Sequence, residues 1–349
     1  MEMNRDNYRD YDAINYSKLS QLARNPSKVD EEKDWHDGFA FGTLVDYMCF
    51  SPDKVDEEFH VSQADRKPSS TAKELADWIL NKSNLQSLKV ENNKIVGYED
   101  VEYGRTKVSL DELLEEAEEA VGSSTSFEKY GGVDYLKDQI ESQDKHVVSS
   151  ELYEKAKRAH QTLKTHKFTR RYFDPDKNIE IQFQVPILWK PGYYKKVFND
   201  IQAKSMLDIV IFDHENKTIL PVDLKTTSSS AFMFEKKIVK WRYDLQASYY
   251  TDGLRYRVDN HNEISDYDIL PFEFIVISSK NLEKPLIYQM SENDLLVGRE
   301  GGILSYSGRS VKGWTDLIRD LLWHQENNKW EYSREIYENN GKVEVDIFK

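Results

Sequence analysis

The chain has 349 residues, enough for a sizeable core in one large domain or two, and its 12% aromatic content, with 21 tyrosines, suits a folded protein. Its formal charge of −14, from 62 acidic against 48 basic residues, argues against a general affinity for nucleic acid, so any such binding must come from a local basic patch. A lone Cys49 excludes an internal disulfide, residues 1–6 are too polar for a secretory signal, and no apolar run reaches the roughly 18–20 residues of a membrane span, so a soluble cytoplasmic protein is expected.

A short helix is expected over 16–25, with Ser17 as its N-cap before Leu19 and Leu22, and Asn25-Pro26 as its stop. A second covers 38–50, where Phe41, Leu44, Val45, Met48 and Cys49 fall at helical spacing. The stretch from 70 to 166 reads as mostly helical and charged, with helices at 71–81, 109–121 and 149–165 and a loop at 122–126. The acidic run at 110–120 reads first as a solvated helix face, with a DNA mimic or a repulsive wall as the other readings. Strands follow at 179–189, 206–212, 218–225, 270–279 and 285–290, interrupted by a helix at 240–256 that carries Leu245, Tyr249 and Leu254. A last helix is expected at 312–324 around Trp314, Leu317, Ile318, Leu321 and Leu322. The order points to an α/β (α+β) core, a mixed sheet flanked by helices with a helical N-terminal elaboration. One domain over 1–349 is expected, with a helical part at 1–165, the core sheet at 166–290 and a helical part at 291–349.

Chemistry concentrates in two of the strands. In Leu220-Pro221-Val222-Asp223-Leu224-Lys225-Thr226-Thr227, Asp223 and Lys225 share one face while Val222 and Leu224 point into a core. The polar segment 213–217 makes a turn to the preceding strand, and a turn centred on Glu215-Asn216 pairs Asp208 with Asp223. Directly opposed residues have Cβ atoms roughly 4.5–5.5 Å apart, so the two carboxylates repel unless a cation lies between them. A divalent ion suits that place, and Lys225 beside it can stabilise phosphate charge or orient a water. The plain alternative is a half-exposed edge strand with a surface Asp–Lys pair.

The Thr226 to Ser230 loop is polar and suited to lying near a phosphate. After it comes a basic, aromatic island with Lys236, Lys237, Lys240, Trp241 and Arg242, either a phosphate track or an ordinary charged helix start. Gln246 and Tyr250 then fall four apart on one helical face, where they can bond or stack on a nucleic acid. The eight histidines show no zinc spacing, no phosphate-binding Gly-rich Lys-Ser/Thr loop exists, and Gly301-Gly302 reads as a turn. ATP use is therefore not expected.

Asp208, the Asp223-Leu224-Lys225-Thr226-Thr227 strand and Gln246-Ala247-Ser248-Tyr249-Tyr250 together resemble the PD-(D/E)XK nucleases. More narrowly, they resemble the RecB/RecE-type and phage exonuclease branch with its Gln-x-x-x-Tyr motif. Lys204, the run Tyr250 to Gly253, and Ser17 to Pro26 with Phe41 to Val45 extend the likeness, which is strong over 180–256 and fair over 16–52. Two positions depart from the family: Asp46 stands where a histidine is common, and Gln184, with Glu180 further back, stands where a glutamate is usual. The resemblance implies a Mg²⁺- or Mn²⁺-dependent DNA exonuclease that resects duplex ends in phage recombination or replication. Asp208, Asp223, the Leu224 carbonyl, Asp46 and Glu180 or Gln184 would hold metal, and Lys225 would activate water. Gln246, Tyr250, Lys204, Thr226, Thr227, Lys236, Lys237, Lys240 and Arg242 would hold DNA. It also implies linear duplex ends as substrate, a homo-oligomer and a single-strand annealing protein as partner. The alternatives are a weakened nuclease fold serving as a DNA- or partner-binding module, and a structure-specific endonuclease.

Overall fold

A computed structural model describes residues 7–29, 37–62, 68–82, 110–121, 129–142, 145–304 and 308–343, with positions 3, 31, 64, 89–91, 94–96, 99–100, 105–106 and 127. Two compact units divide the chain, one formed by residues 1–42 with 158–349 and the other by 43–157. The helix Asp37–Phe50 runs across the division. Among the described residues, no helix is long and apolar enough to cross a membrane.

In the unit of residues 43–157, the helices Ser70–Lys82, Leu110–Val121 and Gly132–Ser142 enclose a core that includes Leu75, Ile79, Leu113, Ala117 and Leu136. The acidic helix buries Leu113 and Ala117, four apart, and leaves Glu115 and Glu119 exposed. That is the amphipathic arrangement expected of a solvated face. The expected loop at 122–126 lies outside the described residues. The helix Gly132–Ser142 was not foreseen, because its polar run Lys137-Asp138-Gln139 hides the apolar spacing.

The other unit carries a mixed α/β core: a seven-stranded sheet of β1 (Ile14–Asn15), β2 (Ile179–Trp189), β3 (Ala203–Asp213), β4 (Thr218–Thr227), β5 (Asp268–Ile269), β6 (Glu273–Ser278) and β7 (Asn281–Gln289). Strands β2, β3 and β4 form an antiparallel meander, and β6 pairs parallel to β4 and antiparallel to β7. β6 is buried along its whole length, as its Phe274-Ile275-Val276-Ile277 run requires. Helices α1 (Tyr16–Arg24), α2 (Phe234–Trp241), α3 (Tyr243–Asp259), α4 (Glu292–Glu300) and α5 (Trp314–Asn327) flank the sheet.

Two local details correct the sequence reading. The N-cap of α1 is Asn15, not Ser17: its side chain accepts the Lys18 N–H at 2.8 Å. The helix expected at 240–256 is two helices, broken where Arg242 adopts a left-handed conformation with φ 54°. α4 was not foreseen, although Ser291 and Asp294 form a reciprocal capping box at its start.

α3 packs on the sheet through fully buried Tyr249, which meets Trp189 edge-on at 4.8 Å and Trp314 at 6.0 Å between ring centres. Each such pair contributes about 0.5–1.5 kcal/mol beyond the area it buries. Gly253 is required here, since a Cβ would lie 2.8 Å from Trp189 Nε1. One residue earlier, buried Asp252 ties three helices together. It receives the Arg299 guanidinium of α4 in a fork and the Trp314 indole N–H of α5 at 2.9 Å. Removing one member of a buried pair strands the other, so Asp252→Ala should cost about 3–5 kcal/mol in urea unfolding. A loss below 1 kcal/mol would show that Asp252 and Arg299 do not brace the helices.

Candidate active site

The site forms where the sheet forks. β3 and β4 pair from Asp213↔Thr218 to Ile209↔Val222, a register centred on residues 215–216, and the ladder stops there. Beyond that point β4 pairs on its other edge with β6, from Val222↔Glu273 to Thr227↔Ser278, while Ala203 and Lys204 of β3 pair with β1. Asp208 and Asp223 are the first residues past the fork on their respective strands. The fork leaves the Leu224 N–H without a strand partner on the β3 side, and the Asp208 carboxylate accepts it at 2.9 Å through Oδ2.

Three side chains converge on the pair. Gln246 of α3 donates Nε2 to Asp223 Oδ1 at 2.7 Å, Gln184 of β2 donates Nε2 to Asp208 Oδ1 at 3.1 Å, and Lys225 Nζ lies 2.5 Å from Asp223 Oδ2. The ammonium and that oxygen form a close ion pair, while Gln246 Oε1 remains a buried acceptor without a hydrogen-bond donor among the described residues. The Lys225 ammonium also faces the rings of Tyr243 at 5.1 Å and Phe274 at 5.8 Å, which favour a cation electrostatically.

Burial dominates the electrostatics. It pushes the Asp208 carboxyl up to about 7, with repulsion from Asp223 adding to it and Lys225 and the Leu224 N–H opposing. Burial also raises Asp223, partly offset by Lys225 and Gln246. Burial alone would lower Lys225, but the Asp223 carboxylate, Tyr243 and Asp208 outweigh it and hold the lysine protonated. The pair therefore keeps a proton in a range where exposed carboxylates have lost theirs, and a cation or proton is the only species that relieves it. The Tyr250 phenol beside the pair is raised well above its ordinary value by burial, then by Tyr8, Asp223 and Asp208, so it stays a neutral donor.

Gln184 is the strained member. Its neighbours Phe183 and Val185 pair with Ile209 and Leu207, yet Gln184 itself sits unpaired with φ 50° inside a strand. A left-handed non-glycine residue costs roughly 1 kcal/mol, and here that strain turns the amide toward Asp208. Two deletions separate strain from function. Gln184→Ala and Gln184→Gly both remove the amide, but the glycine variant should be more stable by about 1 kcal/mol in a denaturant melt. Equal stability would mean that the backbone at 184 is not strained.

Several expected site residues lie elsewhere. Glu180 is exposed at the far end of β2, where His214 Nε2 lies 3.1 Å from its carboxylate and Gln182 Nε2 donates to it at 2.7 Å, so it does not join the pair. Lys204 is buried and donates to the carbonyls of Tyr8, Arg9 and Tyr11 at 2.6–3.1 Å; it anchors the N-terminal segment instead of facing solvent. Arg242 forks onto Asp244 and reaches the Lys312 carbonyl, which fixes the break between α2 and α3. Gln246 is buried and holds Asp223, a positioning task in place of a surface contact. Thr227 is buried and receives Lys237 Nζ at 2.5 Å, whereas Lys236 and Lys240 are exposed. Thr226 packs where Gly42 leaves room, since a Cβ on residue 42 would lie 2.8 Å from its hydroxyl.

Tyr16 and Tyr243 were not singled out from the sequence. Tyr16 meets Tyr250 edge-on at 6.1 Å, and its phenol, raised to about 12 by burial, feels the Lys225 charge. A chain with 21 tyrosines offers no signal for which ones reach a site.

No family model matches the chain, and no curated protein sequence matches it. Among solved structures it is similar to a protein from Eubacterium rectale named, as a provisional assignment, an exonuclease. The likeness has a TM-score of 0.47 and 11% identity over 100% of this chain and 97% of that one.

Proposed function

We propose that this protein is a divalent-metal-dependent nuclease that hydrolyses phosphodiester bonds in DNA, with the forked strands as its active site. One observation carries the reading: a buried carboxylate, Asp223, and a half-buried one, Asp208, meet at a fork with a lysine ammonium 2.5 Å from Asp223 and two amides directed onto them. Charges inside a core are costly, and an arrangement that raises a carboxyl pKa this far is characteristic of functional sites.

The donor set fits a hard cation. Asp208 and Asp223 supply carboxylate oxygens, and Gln246 Oε1 beside them is a buried acceptor without a hydrogen-bond donor among the described residues. Magnesium takes one or two carboxylates and completes its shell with water and phosphate oxygens, so a third carboxylate is not required. Bound there, the metal would polarise the phosphate and lower the pKa of a water. The chain's own residues do the rest. Asp208 and Asp223 hold the ion, Gln184 and Gln246 fix the two carboxylates in place, and Lys225 keeps a proton and a positive charge beside the phosphate. Tyr250, whose phenol feels both carboxylates, stays a neutral hydroxyl. Resection of duplex ends, a phage role, a ring-shaped oligomer and an annealing partner rest on the sequence resemblance alone.

The test is digestion of end-labelled linear duplex with Mg²⁺ or Mn²⁺, beside a covalently closed circle. Loss of the linear DNA only supports an exonuclease, and cleavage of both an endonuclease. A second reading, a DNA-binding module with a weakened site, is favoured by one feature: among the described residues, no three metal-ligating side chains cluster. It predicts no digestion and no Mn²⁺-induced rise in melting temperature, since a bound ligand must stabilise the native state.

A further inference from the structure

The compact unit that carries the forked strands also holds a cleft of about 1120 Å³ between α1, α2 and the segment that leads into α5. It does not contain Asp208 or Asp223. Its lining holds seven arginines and lysines against three carboxylates, in a chain whose net charge is −14. Some of these cations are neutralised locally: Lys312 and Arg334 lie against Asp320, and Arg242 against Asp244. Arg24, Lys236 and Lys240 have no carboxylate partner among the described residues, and all three are exposed. Arg24 and Lys240 are both held over one indole, Trp241, with their charged groups 4.6 and 4.7 Å from its ring centre. Two cations thus share one indole, and among the described residues neither is ion-paired with a carboxylate.

The cleft and the site share an electrostatic environment: Arg24, which lines the cleft, and Lys225, which belongs to the site, both act on the phenols of Tyr16 and Tyr243.

We propose that this cleft is a binding track for single-stranded nucleic acid, in which Arg24, Lys236 and Lys240 take backbone phosphates beside the Trp241 indole. A groove of unpaired cations with an aromatic platform is the recurring solution for holding a single strand without reading its sequence. An acidic peptide would match the charge but would make no use of the indole. The proposal deepens the nuclease reading and rests on it for the direction of the strand, but binding itself needs neither metal nor hydrolysis.

The experiment is fluorescence anisotropy of a labelled oligothymidylate in EDTA, with wild-type protein, the Arg24→Gln/Lys240→Gln variant, and a control, Lys177→Gln/Lys190→Gln, that removes two exposed lysines outside the cleft. The cleft variant should bind at least ten times (~10-fold) more weakly, and its log K against log salt slope should be shallower by about 1.4, from about 0.7 per lost phosphate contact on a single strand. The control should keep both affinity and slope. The proposal is overturned if the cleft variant and the control bind alike, or if an oligoglutamate of equal charge displaces the oligonucleotide as well as unlabelled oligonucleotide does. Should the double variant melt early, Lys236→Gln and Lys240→Gln singly, each on an exposed side chain, carry the slope test. EDTA keeps the result separate from catalysis: strand binding with no digestion in Mg²⁺ would sink the nuclease reading alone, and digestion with no cleft-dependent binding would sink this one alone.

Discussion

Lys225→Ala is expected to reduce the rate of DNA hydrolysis by about 10²–10³-fold, the usual cost of removing one charge-stabilising donor from a reacting centre. The ammonium lies 2.5 Å from Asp223 Oδ2 and faces two aromatic rings, so it is held in one place before any substrate arrives. Its removal leaves both carboxylates in position, with Gln184 and Gln246 still bonded to them. The Mn²⁺-induced rise in melting temperature should therefore survive in Lys225→Ala, whereas Asp223→Ala should lose both that rise and the activity. Full activity in either variant would remove the forked strands from the mechanism. Loss of metal binding in Lys225→Ala would make the lysine a structural counter-ion only.

In the absence of metal, the protein should lose stability as pH rises from about 4 to about 7, opposite to the trend of an ordinary ion-paired aspartate. The sign follows from proton counts. Unfolded Asp208 loses its proton near pH 3.9, while in the fold burial and Asp223 keep it up to about 7. Between those values the native state binds more protons than the unfolded state, so stability falls with pH, and above about 7 the curve flattens. A carboxyl displaced that far corresponds to a few kcal/mol, on the order of 2–4, or roughly 10 °C in the melting temperature of this unit. Asp208→Asn removes that group's titration and should make the profile shallower, with buried Asp223 still contributing, and Mn²⁺ at pH 7.5 should restore the lost stability in wild type. A wild-type midpoint in EDTA that stays level or rises over this range would mean that the pair carries no retained proton.

The two predictions probe one physical fact, that the fold places like charges together in its interior. Lys225 offsets part of the repulsion, the amides of Gln184 and Gln246 fix the geometry, and the remainder is what a cation would relieve. Gln184 adds backbone strain of its own at φ 50°. Strain and burial of this kind persist only where surrounding packing holds them, and here the Trp189, Tyr249 and Trp314 cluster supplies that packing beneath α3.

Much of this was legible in the residues alone. The strands at 179–189 and 218–225, the turn at 215–216 and the alternation of Asp223 and Lys225 with Val222 and Leu224 follow from local periodicity, which needs no distant partner. The helix break at Arg242, the left-handed Gln184 and the anchoring of Lys204 were not. A single left-handed residue leaves the hydrophobic spacing on either side intact, so the run from 240 to 256 reads as one helix. Whether a lysine faces solvent or three carbonyls depends on where residues 8–11 return, nearly two hundred positions away in the chain. The fork itself is a tertiary event. The β3–β4 ladder ends at Val222 while β6, fifty residues later, continues to hold β4 on its opposite edge, so β4 runs on past β3 and Asp208 bonds the Leu224 N–H that the ended ladder leaves. The sequence by itself determined which side chains share a face; the pairing of distant strands decided which of those faces became a site.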